Sequence, residues 1–161
     1  MPVRVAELGY PGVVPELSVA SESFQNGDPI PHRNALQGEN VSPALTWSGA
    51  PPSTRSIAVV CEDPDAPSGT FVHWVGWGID PEAGGLAEGQ SAPKEGRNDF
   101  GNTGYDGPSP PPGHGPHRYF FRVYALDAEP ELEAADSKEE LEAAIRGHLL
   151  ASGELMGTYE R

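Results

Sequence analysis

Tyr105-Asp-Gly-Pro-Ser-Pro-Pro-Pro-Gly-His-Gly-Pro-His-Arg-Tyr119, running into Phe120-Phe-Arg-Val-Tyr-Ala-Leu126, is the passage on which the fold turns. Five prolines and three glycines surround two histidines, and an apolar run follows at once. Proline fixes φ and removes a backbone donor, while glycine admits conformations that a side chain forbids. A loop built this way is shaped and stiff. It hands His117 to the start of a strand with aromatics on both faces, Tyr119 and Phe121 on one, Phe120 and Tyr124 on the other. A strand apolar on both faces belongs inside a layered structure. A rigid loop presenting an imidazole at a strand end makes a suitable wall for a small-ligand pocket.

Outward from this passage the chain reads as short strands between turn signals. Residues 56–61 form a β-run stopped by Asp63-Pro64. Residues 71–79 form a central strand, with Phe71, His73, Val75 and Trp77 on one face and Val72, Trp74 and Gly76 on the other. Residues 17–20, 45–47 and 155–159 suit shorter strands, while 80–104 read as loop and 1–16 as irregular. Ser137-Lys-Glu-Glu140 is a capping box opening the one convincing helix. Leu141, Ile145 and Leu149 would be its buried stripe, and Gly153 its end. The sum is a mainly β fold: one domain over residues 1–161, a β-sandwich with a C-terminal helix and long Pro/Gly-rich loops. At least one cis X-Pro bond is expected at Ala66-Pro67 or within residues 107–112, since tight turns favour it.

Composition bounds the partners. The 161 residues carry a formal net charge of -14, with 20 glycines and 18 prolines interspersed among apolar segments. Such an acidic surface argues against nucleic acid or an anionic membrane as a general partner. The single cysteine, Cys61, sits in an apolar run and reads as a core thiol. No secretory leader or membrane-length apolar run is evident, so a cytoplasmic protein is expected.

Two stiff segments carry the chemistry. Asp63-Pro-Asp-Ala-Pro67 holds two carboxylates between prolines, just ahead of the strand bearing His73. A carboxylate beside an imidazole raises its pKa and favours the anion-binding imidazolium. Asp63 or Asp65, His73 and His117 are thus candidates for one polar cluster, though spacing alone leaves open whether they meet.

With Asp63-Pro-Asp-Ala-Pro67, His73-Trp74, Asn98-Asp-Phe-Gly101, Tyr105-Asp-Gly-Pro108, Gly113-His-Gly-Pro-His-Arg-Tyr119 and Gly157-Thr-Tyr-Glu-Arg161 in that order, the chain resembles the phosphatidylethanolamine-binding protein family. The match is nearest the prokaryotic, Raf kinase inhibitor-like branch and spans roughly residues 17–161. The resemblance implies a Greek-key β-sandwich with a pocket for phosphate, phosphorylethanolamine or acetate-like anions. It implies the ligand-binding set Asp63, Asp65, His73, Gly107, Pro108, His117 and Tyr119, with Phe71 the nearest counterpart of a pocket-lining aromatic. No cofactor is expected, and relatives suggest a homodimer.

Other readings carry less. His114 and His117 have H-x-x-H spacing, but Gly115-Pro116 between them breaks the helix that would make it a metal pair. Gly101, Gly104 and Gly107 recur at threes, yet lead into prolines, not a helix. A hydrolase using the histidines, or a protease or kinase inhibitor working through surface contacts, are the alternatives to a binding protein. Arg118 reads as an ion-pair partner of the Asp63–Pro67 turn.

Overall fold

The computed structural model describes residues 3–4, 13–133 and 136–161. Ten strands and one helix follow in the order β1 (Val3–Arg4), β2 (Val13–Val14), β3 (Ser18–Ala20), β4 (Leu45–Ser48), β5 (Ser56–Asp63), β6 (Phe71–Ile79), β7 (Gly85–Leu86), β8 (Lys94–Glu95), β9 (His117–Leu126), α1 (Lys138–Ile145) and β10 (Leu149–Tyr159). Five strands make the large sheet, in the order β10-β9-β5-β6-β8, and β3-β4-β7 make a small one. All named pairings are antiparallel. The mainly β sandwich read from the sequence is the fold observed. Most of the irregular reading of residues 1–16 lies outside the described residues, although β1 pairs with β2.

Burial explains the layering. Leu17, Leu45, Trp47 and Leu86 from the small-sheet side pack with Ile57, Val59, Cys61, Trp74 and Phe121 of the large sheet. Ala58, Val60, Val72, Val75 and Trp77 form the opposite face and pack with Leu141 and Ile145 of α1. The large sheet is therefore apolar on both sides, as its strands' composition requires. Cys61 is fully buried, and desolvation pushes its thiol pKa well up, so it is a core residue.

The capping box forms as expected: Ser137 Oγ accepts from Glu140 N, and Glu140 Oε2 accepts from Ser137 N. The helix is shorter than its apolar stripe suggests. It ends at Ile145, and Leu149 is buried as the first residue of β10. Gly153 does not end the helix but lies within β10, where a Cβ would stand 2.2 Å from the Leu17 carbonyl oxygen. Close backbone approach selects glycine there.

The alternation expected along residues 71–79 also fails at two points, once between Trp77 and Ile79, which lie in opposite core layers, and once at His73. Cys61 pairs with Trp74 and Glu62 with Val72, so His73 is an extra residue, a β-bulge. Strict alternation would put Trp74 beside Val72. Trp74 instead joins the core between the sheets, and the His73 ring lies 5.3 Å from that of Tyr119 on the same side. Bulges re-aim side chains, and this one turns two consecutive residues inward. No cis peptide bond occurs among the described residues, which overturns the expectation for Ala66-Pro67 and residues 107–112. Gly69 at φ 110° and Gly113 at φ 75° turn these loops.

Candidate functional site

Register brings three strand ends together. Glu62 pairs with Phe120, Asp63 with Phe71, and His117 with Tyr159, so the end of β5 meets the starts of β6 and β9. Asp63 is 3% exposed. Its Oδ1 accepts the Asp65 N–H at 2.7 Å, and its Oδ2 lies 2.6 Å from His117 Nδ1. With Asp63 accepting on both oxygens, Nδ1 of His117 carries the proton. His117 Nε2 faces His114 Nδ1, also at 2.6 Å. Asp63, His117 and His114 thus form a hydrogen-bonded chain from the buried strand end to the surface.

Asp65 points away from this chain. Arg118 grips it with Nε at 2.9 Å and Nη2 at 2.8 Å, and the Arg118 backbone N–H adds a third bond. These charge-assisted bonds hold the Asp65 carboxyl down to about 2. The ion pair read for Arg118 is present, and it fastens the Asp63–Pro67 turn to the start of β9.

His73 is held from the other side. Its Nδ1 lies 2.8 Å from the Asp106 carbonyl oxygen. A carbonyl only accepts, so Nδ1 carries the proton and Nε2 is left as an acceptor in the neutral ring. Burial lowers the His73 pKa, outweighing the nearby Asp63 and Asp106 charges that raise it. The expected imidazolium at His73 is therefore corrected to a neutral ring. Asp106 anchors this side: its carboxylate accepts from Asn40, Asn98 and Asn102. Burial opposes its ionisation, but these amide bonds prevail and keep its pKa below the ordinary value.

Tyr119 is fully buried, and among the described residues its hydroxyl meets no partner in hydrogen-bond geometry, although the Asp63 carboxylate is close enough to act on it. Desolvation, with the Asp63 charge added, raises its pKa, so it remains a donor. A buried donor with nothing to donate to marks a place where a ligand or water belongs. Tyr119, Asp63, His73 and His117 line one cavity of about 230 Å³, walled by Ala66, Pro67, Phe71, Phe100, Pro110 and Pro111. Ser68 and Ser109 complete the lining.

Four of the seven residues singled out from the sequence therefore meet in one cavity. Asp65, Gly107 and Pro108 lie outside its lining. Gly107 packs so tightly that a Cβ would stand 2.0 Å from the Asn34 carbonyl oxygen, and its N–H is taken by Asn40 Oδ1 at 2.7 Å. Pro108 accepts from Leu36 N. These two shape the loop behind the cavity. Phe71 does line it, as the nearest-aromatic reading anticipated. Phe100 and Asn98 stood in the Asn98–Gly101 motif without being singled out as site residues, and Asn40 and Asn102 stood in none of the motifs that carry the resemblance. Sequence reasoning weighed His114 only as a metal ligand. Among the described residues no group of three or more His, Cys, Asp or Glu is arranged around a common metal position.

Known proteins resemble this chain in sequence and fold. The profile of the phosphatidylethanolamine-binding protein family matches residues 20–160. A UPF0098 protein of Methanothermobacter thermautotrophicus is 43% identical over 154 residues, covering 90% of this chain and 99% of that protein. A crystal structure of a phosphatidylethanolamine-binding protein homologue from Chlamydia trachomatis superposes with a TM-score of 0.85 at 38% identity, covering 91% of this chain and 98% of its own. Escherichia coli YbcL, described as a new member of the mammalian family, gives 0.85 at 31% identity, covering 91% and 99%. The chain belongs to the phosphatidylethanolamine-binding protein family, in its prokaryotic branch.

Proposed function

We propose that the cavity binds one phosphate- or carboxylate-bearing small molecule, of the size and kind of a phospholipid headgroup. The unpartnered Tyr119 hydroxyl, buried beside the Asp63–His117 pair, carries this reading. Its chemistry also narrows the ligand. Tyr119 offers a donor and neutral His73 an acceptor, while Asp63 repels a second negative charge. A singly ionised phosphate monoester fits both: an ionised oxygen accepts from Tyr119, and the acid O–H donates to His73 Nε2, whereas a carboxylate makes only the first contact. The rings of Phe71 and Phe100, with centroids 4.7 Å apart, suit an organic chain or an ammonium group leading outward. The net charge of -14 favours such a cationic tail over a bare dianion. The family's name for its ligand is consistent with this reading.

No helix among the described residues is long and apolar enough to cross a membrane. A relative from Mycobacterium tuberculosis, 40% identical over 147 residues, bears a lipoprotein name. A cytoplasmic site of action and a homodimer stay part of the reading, the dimer to be checked by light scattering.

Titration calorimetry with inorganic phosphate, acetate and phosphorylethanolamine tests the proposal. The expected result is binding at one site per chain, with phosphorylethanolamine the tightest. No binding by any of the three would overturn it.

A further inference from the structure

We propose that His114 is a displaceable cap on His117, occupying the hydrogen-bonding position that a ligand oxygen would otherwise take. This rests on the binding reading above. His117 is 2% exposed, and its two ring nitrogens are both engaged. Nδ1 is fixed by Asp63, and Nε2 meets His114 Nδ1 at 2.6 Å. Either ring can supply the proton between Nε2 and Nδ1. In both cases Nε2 of His117 is filled, and the ring has no polar atom free for a ligand.

The two partners of His117 differ in kind. Asp63 ends a strand and is buried, so it cannot leave. His114 is exposed and lies outside the lining of the cavity. It stands between Gly113 and Gly115, both in the left-handed region at φ 75° and 87°. A Cβ at either glycine would meet nothing within 4 Å, so the segment has room to turn. Upstream, Pro110–Pro112 resist motion, and downstream the β9 ladder begins at His117. Two backbone bonds hold the turn itself, Gly113 N to Arg161 O and His114 N to Pro111 O. Motion is thereby confined to the few residues carrying His114, and turning them away bares Nε2 of a ring already oriented by Asp63.

The competition sets a sign. If His114 is a cap, removing it strengthens ligand binding; if it is a ligand contact, removing it weakens binding. Phosphate and phosphorylethanolamine are titrated into wild type and His114→Ala, with thermal midpoints measured alongside. The cap predicts binding about three- to tenfold tighter in His114→Ala, the worth of one hydrogen bond. In wild type, nitrogen NMR should show the His114 ring changing on phosphate addition to the signature of a solvent-exposed imidazole. Equal or weaker binding by His114→Ala overturns the cap while leaving the anion pocket standing. Absence of binding by both proteins overturns the pocket and the cap together.

Discussion

Glu62 and Asp63 are neighbours on β5, both acidic and both buried, at 6% and 3% exposure. Strand alternation sends them to opposite faces of the large sheet. Glu62 faces α1, where Arg122 from β9 bonds one of its oxygens and Lys138, at the start of the helix, bonds the other. Its charge is closed off, and the closure ties helix to sheet. Asp63 meets an imidazole and a backbone N–H, and it lines a cavity. Adjacent residues of one chemical class thus serve different ends. A carboxylate between two cations is structural, while one held by a histidine beside open space orients that histidine and sets the charge of a cavity.

The largest test of this contrast is Glu62→Ala. It leaves Arg122 and Lys138 side by side, half-buried and without their shared anion. Breaking such a network costs about 3 kcal/mol. Urea unfolding should show that loss, while phosphate affinity stays unchanged. A loss below about 1 kcal/mol would mean that solvent already screens the network.

An intermediate effect comes from pH on the pocket side. The folded pKa of His73 lies below its ordinary value of 6.5 because burial disfavours the charged ring. The unfolded chain therefore takes up this proton first. Stability from His73 is fully present above pH 6.5 and falls as pH drops below it toward the folded value. Chemical unfolding at pH 7.5 and 5.5 should show the decrease, and His73→Phe should flatten it. An equal slope in the variant would place its origin elsewhere.

The smallest effect belongs to the outer pair. Arg118 is half exposed, and Asp65 titrates at about 2 in place of 3.8. That pair adds stability above pH 3.8 and loses it between 3.8 and about 2. Asp65→Asn should remove this part of the acid unfolding curve and alter the midpoint at pH 7 only slightly. A large change at pH 7 would give the surface pair a weight that solvent screening does not allow.

Much of this was legible in the sequence because it was local. Residues 71–79 and 117–126 announce buried strands by composition, and Ser137–Glu140 announces a helix start by spacing. The chain's end was harder. Leu149 continues the helical stripe, and only the pairing with Leu126 on β9 makes it a strand residue. His73 and His117 were both singled out from their motifs, but their states were not readable. The bulge that turns His73 beside Tyr119 depends on the register with β5, and its lowered pKa depends on burial by Phe71, Phe100 and Tyr119. The asparagines around Asp106 come from two separated segments, Asn40 from one and Asn98 and Asn102 from another, so no local pattern joins them.

The central claim is that the cavity at the ends of β5, β6 and β9 is a ligand site, and Tyr119→Phe tests it most directly. The hydroxyl meets no hydrogen-bond geometry among the described residues, with only the Asp63 carboxylate close enough to act on it, so its removal costs at most a weak contact. Phosphorylethanolamine is titrated into wild type and Tyr119→Phe at neutral pH, with the thermal midpoints compared. The account predicts affinity about tenfold weaker, the worth of one hydrogen bond to an anion, with an unchanged or slightly raised midpoint. Equal affinity in the two proteins would contradict it.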